Sequence, residues 1–437
     1  MTSPAQYPRS KLFLIGVLAL FTAAMSASLR ATVAGNIKTE LLDAIDLARS
    51  ATLIAEALGV AFLGFAFTLF AVSPFLDLLG MRRVVIAAGT CLGGGTLLTI
   101  CAPLLGGEAA YRVIWGGMLL CGIGWGCVEA TINPMTTALY PEQKTHRLNV
   151  LHAWWPAGMI AGGLAGVVLG TLNISWQWAL ALVLLPASAV ILLSLNTPFP
   201  PTERAANGIS MGEMFAEIVR RPSFFIWFGA MLLTAASELA PGQWVDLALT
   251  QKVGFRGMLL LVYVSGLMFV MRHFAGPLAH RLSNAGLLWF SSLLAALGLW
   301  LLSQAQGPIT ALLAATVWGT GVCFMWPTML ASVSERYPRG GSLMIGLLGS
   351  AGALSIYFVL PMLGAYYDQV KAELAGGSEH LSQLSAEALA EIQGLAAAES
   401  FALVALLPMA LLLVFGAIWL YDRRSSAAPE PRTVEPG

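Results

Sequence analysis

The chain has 437 residues, of which 57% are hydrophobic and only 11% charged, against about 25% charged in ordinary soluble domains. With a mean hydropathy of +0.77, this composition excludes a soluble globular fold and points to a polytopic all-α membrane protein, since helices satisfy their own backbone in lipid. Its 23 Lys and Arg balance 23 Asp and Glu, so no basic field recommends nucleic acid as a partner.

In chain order, apolar runs long enough to cross the ~30 Å hydrocarbon core occur at about 11–34, 53–76, 84–105, 111–138, 150–171 and 177–196, then at about 222–240, 257–279, 285–304, 308–332, 342–366 and 400–421. That makes twelve transmembrane helices. The connection 197–221, with TPFPPTERAANG and an amphipathic piece ending at Arg220, Arg221 and Pro222, divides them into two six-helix bundles. The expected organisation is an N-terminal bundle 1–196, a cytoplasmic linker 197–221, a C-terminal bundle 222–424 and a disordered tail 425–437. An external insertion of about 368–399 carries Leu381, Leu384, Ile392 and Leu395 on one helical face, either as a surface helix or as a solvated connector. A second external segment, 39–50, reads the same way.

Orientation follows from Lys and Arg. With the N-terminus inside, the cytoplasmic segments hold fifteen of them and the opposite loops six, namely Lys38, Arg49, Arg112, Lys252, Arg256 and Lys371. Both termini are therefore expected in the cytoplasm, with the protein in the cell membrane, or the inner membrane of a Gram-negative source. Arg9 and Lys11 before LFLIGVLALF resemble a signal peptide, but cleavage would leave eleven spans and reverse the charge bias.

An internal repeat supports the two halves. Gly122, Gly124, Tyr140 and Pro141 match Gly319, Gly321, Tyr337 and Pro338 at identical spacing, and the same register sets Glu129 opposite Trp326.

Glu129 lies in GIGWGCVEATINPMTTALYPEQK, with Asn133 and Pro134 after it. A carboxyl at membrane depth costs about 2.5–3.5 kcal/mol even on lenient insertion scales, so it needs a partner, a proton or a task. The reading from the residues alone keeps two options, a structural ion pair or a proton-exchanging, hydroxyl-binding group. Glu238 in the seventh span and Arg272 in the eighth are further intramembrane charges, expected near mid-depth and able to pair, with Gln243 and Trp244 lining the outer mouth beyond a break at Pro241 and Gly242. His152 and Trp155 in LNVLHAWWPAG suit a sugar, one by hydrogen bonding and the other by stacking; packing is the alternative for Trp154 and Trp155. All five cysteines fall in apolar segments with no CxxC or His-rich spacing, so no metal site, disulfide framework or cofactor is expected. No GxxxxGK, Ser/His/Asp set or added soluble domain supports an ATPase, an enzyme or a transporter-derived sensor.

After the second span, SPFLDLLGMRRV carries Ser73, Asp77, Gly80, Arg82 and Arg83. It resembles the GxxxDxxGxRR loop signature of the major facilitator superfamily, with Ser73 in place of the first Gly. The loop needs a tight turn, which Gly80 suits, and a carboxylate at a helix end that latches the cytoplasmic side. The second-half copy, GPLAHRLSNAG, has His280 where the acid would stand.

GCVEATINP, followed by Arg147, Leu148 and Asn149, resembles the GCxExxxNP and RLN patterns of the fucose–galactose–proton symporter family. That resemblance implies the major facilitator fold, a monomer, a sugar solute moved by alternating access, and Glu129 as both sugar ligand and proton carrier. Asn133, Asn149, His152, Trp155, Glu238, Arg272 and Trp326 complete the expected solute site, with a proton, or sodium, as coupling ion. One departure is Arg30, which stands at about the position of the family's first-helix acid. Arg30 cannot titrate near neutrality; it neutralises Glu129, binds an anion, or anchors at the interface. The competing reading is therefore transport of a small carboxylate clamped by Arg30 and Arg272.

Overall fold

The computed structural model describes residues 7–46, 50–253 and 257–427. The first half comprises α1 (Arg9–Ile37), α2 (Ser50–Val72), α3 (Leu76–Leu79), α4 (Met81–Cys101), α5 (Gly107–Leu139), α6 (Lys144–Thr171), and α7 (Trp176–Ala181) with α8 (Leu184–Leu195) sharing the sixth span. The linker carries α9 (Glu203–Ala206) and α10 (Met211–Arg220). The second half comprises α11 (Phe224–Val253), α12 (Gly257–Arg272), α13 (Ala275–Gln304), α14 (Pro308–Val322), α15 (Met325–Arg336), α16 (Gly341–Leu374) and α17 (Ala386–Ala427). Among the described residues, eleven helices are long and apolar enough to cross a membrane. The eighth expected span is covered by α12 and the first turns of α13, which breaks at Ser283 (φ 64°, ψ 166°) before the ninth span begins.

Helices of one half approach closely where side chains are small. A Cβ on Gly158 would stand 2.6 Å from the Phe21 carbonyl, and one on Gly162 2.7 Å from that of Met25, so α1 and α6 meet backbone to backbone. The repeat glycines do equivalent work in each half. Gly122 faces α2 at Ala61 and Gly124 faces α4 at Ala88, whereas Gly319 faces α12 at Val264 and Gly321 faces α13 at Ala295. Both repeats also end alike: Tyr140 (φ −131°, ψ 61°) and Tyr337 (φ −127°, ψ 58°) terminate their helices, and a 3₁₀ turn beginning with proline follows each.

One face carries the linker, the start of α1 and the end of α17. There Arg9 lies over the Tyr140 ring, Asp77 meets Thr202, and Arg336 pairs with Asp422. We call it the linker face. The halves touch through α2 against α16 and through α6 against α12, α13 and α15. α10 on the linker begins with a capping box in which Ser210 and Glu213 exchange hydrogen bonds, and these bonds hold the exposed Glu213 carboxyl below the ordinary carboxylate range.

Three expectations need correction. No break follows Pro241, because α11 runs on to Val253; the side chains of Gln243 and Trp244 lie outside the described residues. The segment 386–399 is the first part of α17, continuous with the last span, and its buried positions include Ala396 and Ala397 while Leu395 is exposed. Ala396 and Ala397 seat that helix and Leu395 turns outward, while Ile392 is half-buried. The expected tail lies outside the described residues from 428 onward, and 425–427 extend α17.

Candidate functional site

Glu129 and Asn133 are one helical turn apart on α5, and both are buried. Asn133 Nδ2 donates to Glu129 Oε2 at 2.8 Å and lies 3.1 Å from the Glu129 carbonyl. With its amino group turned to two acceptors, Asn133 presents Oδ1 to His152 Nε2 at 2.8 Å, which makes Nε2 the donor of that bond. His152 Nε2 is 4.0 Å from the Glu129 carboxylate. The result is a carboxyl–amide–imidazole chain spanning α5 and α6. Among the described residues Glu129 has no ion pair with Lys or Arg.

An aromatic column stands beside this chain. Trp125, one turn before Glu129, stacks on Phe65 of α2 (centroids 3.9 Å, 16°) and on Trp155 of α6 (4.8 Å, 21°). The buried Trp125 indole N–H stands near the Glu129 carboxyl and falls short of a hydrogen bond to it. Trp154 points elsewhere and meets Phe269 of α12 edge-on at 5.6 Å. Of the two adjacent tryptophans, only Trp155 therefore joins the column. Trp125 was not read from the sequence, although its i−4 relation to Glu129 puts it on the same face.

The second-half charges do pair. Arg272 Nη2 donates to Glu238 Oε1 at 3.0 Å, and both groups are buried. Arg272 also donates from Nη1 to the His152 carbonyl and from Nε to the Cys323 carbonyl, each at 2.7 Å. Glu238 Oε2 is buried, with the backbone N–H of Trp326 near the carboxylate and short of a hydrogen bond to it.

The linker face is closed by a polar set. Asp77 accepts from the backbone N–H of Thr202 (3.1 Å), from Thr202 Oγ1 (2.8 Å) and from Arg204. Gly80 makes the expected turn at φ 82°. Arg82 and Arg83 are exposed and form no ion pair among the described residues. Lys144 pairs with Glu203 at 2.9 Å, Ser342 Oγ donates to the Ser73 carbonyl at 2.7 Å, and Thr145 donates to Asn284 (2.8 Å) and Glu335 (3.2 Å). Asn149 Nδ2 reaches Thr328 Oγ1 at 3.2 Å, which makes it a bridge between halves, set apart from the Glu129 chain. Among the described residues, the hydrogen bonds between the halves run from the linker face to the depth of His152.

Residues 12–360 match the Major Facilitator Superfamily. The chain belongs to that superfamily.

Among solved major facilitator structures, the Escherichia coli fucose:proton symporter superposes with a TM-score of 0.66 at 16% identity, covering 91% of this chain and 98% of that one. A D-xylose–proton symporter gives 0.66 at 15% identity (89% and 96% covered), and the human organic anion transporter MFSD10 gives 0.68 at 14% (93% and 99%). At these identities the likeness concerns the fold. In sequence, a chloramphenicol efflux pump of Mycobacterium tuberculosis (strain CDC 1551 / Oshkosh) is 24% identical over 294 residues, 65% of this chain and 67% of the pump.

Within the major facilitator frame, Arg30 pairs away from Glu129. It is buried on α1, and its Nη1 donates to Ser26 Oγ, one turn earlier on the same helix, at 2.8 Å. The Glu129 carboxyl engages Asn133 instead, with His152 beyond it. Trp326, the repeat partner of Glu129, is partly exposed and packs against Gly352 of α16.

Proposed function

We propose that this major facilitator protein moves a small neutral polyhydroxyl solute, a sugar, by alternating access coupled to protons, from a cell membrane in which both termini face the cytoplasm. The observation that carries the reading is the Glu129–Asn133–His152 chain. Its carboxyl is buried beside an amide and an imidazole and makes no ion pair with Lys or Arg among the described residues, so it is free to gain or lose a proton without breaking one. An amide, an imidazole and a carboxyl beside the Trp125–Trp155 column offer hydroxyl partners and a flat apolar surface, which match the hydroxyls and the apolar face of a pyranose. The sugar–proton symporters with the same fold support the reading.

The anion reading draws less support. Three of the Arg272 donors are committed to Glu238 and to two carbonyls, and Arg30 is bonded to Ser26. The efflux-pump relative supports a different solute, chloramphenicol, moved outward.

Proteoliposomes supplied externally in turn with fucose, xylose, a small carboxylate and chloramphenicol, with and without a pH gradient, separate these readings. Uphill accumulation of a neutral sugar driven by the gradient is expected. Glu129→Gln is expected to retain solute exchange and lose accumulation. Undiminished accumulation by that variant would sink the role of Glu129, and flux of the carboxylate or of chloramphenicol alone would replace the sugar.

A further inference from the structure

A proline inside a helical span lacks the N–H that would bond the carbonyl four residues earlier, so each one leaves a buried acceptor to be satisfied from outside the helix. Pro156 in α6 frees the carbonyl of His152, and the break between α14 and α15 frees that of Cys323, the C-cap residue of α14. These are the two carbonyls that Arg272 holds, one in each half of the molecule. The third donor goes to Glu238 on α11.

We propose that Arg272 is a positioning residue for transport, a strap that joins the two halves at mid-depth through the proline-freed carbonyl of His152 while the linker face is closed. This inference rests on the transporter reading above. Two of its bonds, to Glu238 and to Cys323, lie within the second half and fix the guanidinium there. The third crosses to α6, and it must break when the halves separate on the linker face. It also ties the backbone of His152 to the second half while the imidazole of the same residue belongs to the Glu129 chain. Glu238 anchors the guanidinium from within the second half, and the backbone N–H of Trp326 stands near the same carboxylate.

The test uses the full chain in lipid nanodiscs, read by deuterium exchange over Lys144–Leu151 and Glu335–Ile345, and in proteoliposomes, read by transport rate and by fucose and xylose binding. Two variants are compared. Arg272→Lys keeps the charge beside Glu238, but one ammonium cannot reach three acceptors splayed around a guanidinium. Pro156→Ala leaves Arg272 untouched and restores an N–H that competes for the His152 carbonyl. Both are expected to raise exchange on the linker face by about threefold or more, the worth of one hydrogen bond, and to change the maximal transport rate with sugar affinity retained. Wild-type exchange and rate in both variants would overturn the strap, and so would lost sugar binding in both, which would make Arg272 a ligand contact. If the wild-type chain moves none of the solutes, the transporter reading fails, while the exchange measurement still decides whether the strap exists.

Discussion

Thr202 of the linker grips Asp77 twice, through its backbone N–H at 3.1 Å and its hydroxyl at 2.8 Å, and Arg204 completes the grip from two residues further on. Glu203 between them reaches the other way, to Lys144 at 2.9 Å. Three consecutive linker residues thus clamp the turn after α2 and the start of α6.

Removing that clamp releases the linker. Arg204→Gln leaves the Asp77 carboxylate short of a buried charge partner, and loss of such a partner costs up to about 3–5 kcal/mol when fully buried. Tryptic cleavage after the exposed Arg220 is expected to accelerate about tenfold in Arg204→Gln and in Asp77→Asn. Cleavage at the wild-type rate in both would show that the linker is held elsewhere.

Close helix approach makes a graded prediction along α6. Gly162→Val drives a side chain into the Met25 carbonyl, whereas a Cβ on Gly170 meets nothing within 4 Å. Thermal unfolding in detergent should show Gly162→Val destabilised by about 1–3 kcal/mol relative to Gly170→Val, which carries the same β-branched side chain on the same helix. Equal stabilities would mean that α1 and α6 separate readily at that level.

The aromatic column is tested at its centre. Trp125→Phe keeps a ring between Phe65 and Trp155, and Trp125→Ala removes it. Sugar affinity, followed by equilibrium binding, is expected to survive in the first and to fall about tenfold in the second. A loss of equal size in both would assign the effect to the indole N–H.

Acid acts on α10 through Glu213. Its carboxyl is held low by hydrogen bonds from Ser210, so the stabilisation is present above the ordinary carboxylate range and is lost as pH falls through the lowered value. Amide protection at the start of α10, corrected for intrinsic exchange, should decline only in that acid window. Glu213→Gln should remove the pH dependence, and a dependence that persists there would point to another group.

The frame was legible because its signals are local and periodic: span lengths, the Gly–Gly–Tyr–Pro repeat, the Asp77–Gly80 turn. Glu129, Asn133 and His152 could be named for the same reason, since polar residues stand out in apolar helices. What stayed hidden depends on neighbours in space. Nothing at Thr202 or Arg204 marks them as partners of Asp77, and Asn149 reads as a solute ligand although Thr328 of the other half stands beside it. The eighth span reads as one run because hydropathy averages over the turn at His273 and Phe274.

Pro241 adds a third case to the freed carbonyls, with the Ser237 oxygen accepting from Trp318 Nε1 at 3.2 Å. Main-chain acceptors of this kind are invisible to alanine scanning, which deletes side chains and leaves every peptide oxygen in place. A mutational map of this protein would flag Arg272 and Trp318 as sensitive while offering no polar counterpart for the bonds they make to peptide oxygens. The counterparts would surface at Pro156 and Pro241, residues without a polar side-chain atom, where substitution edits the hydrogen bonding of a residue one turn away.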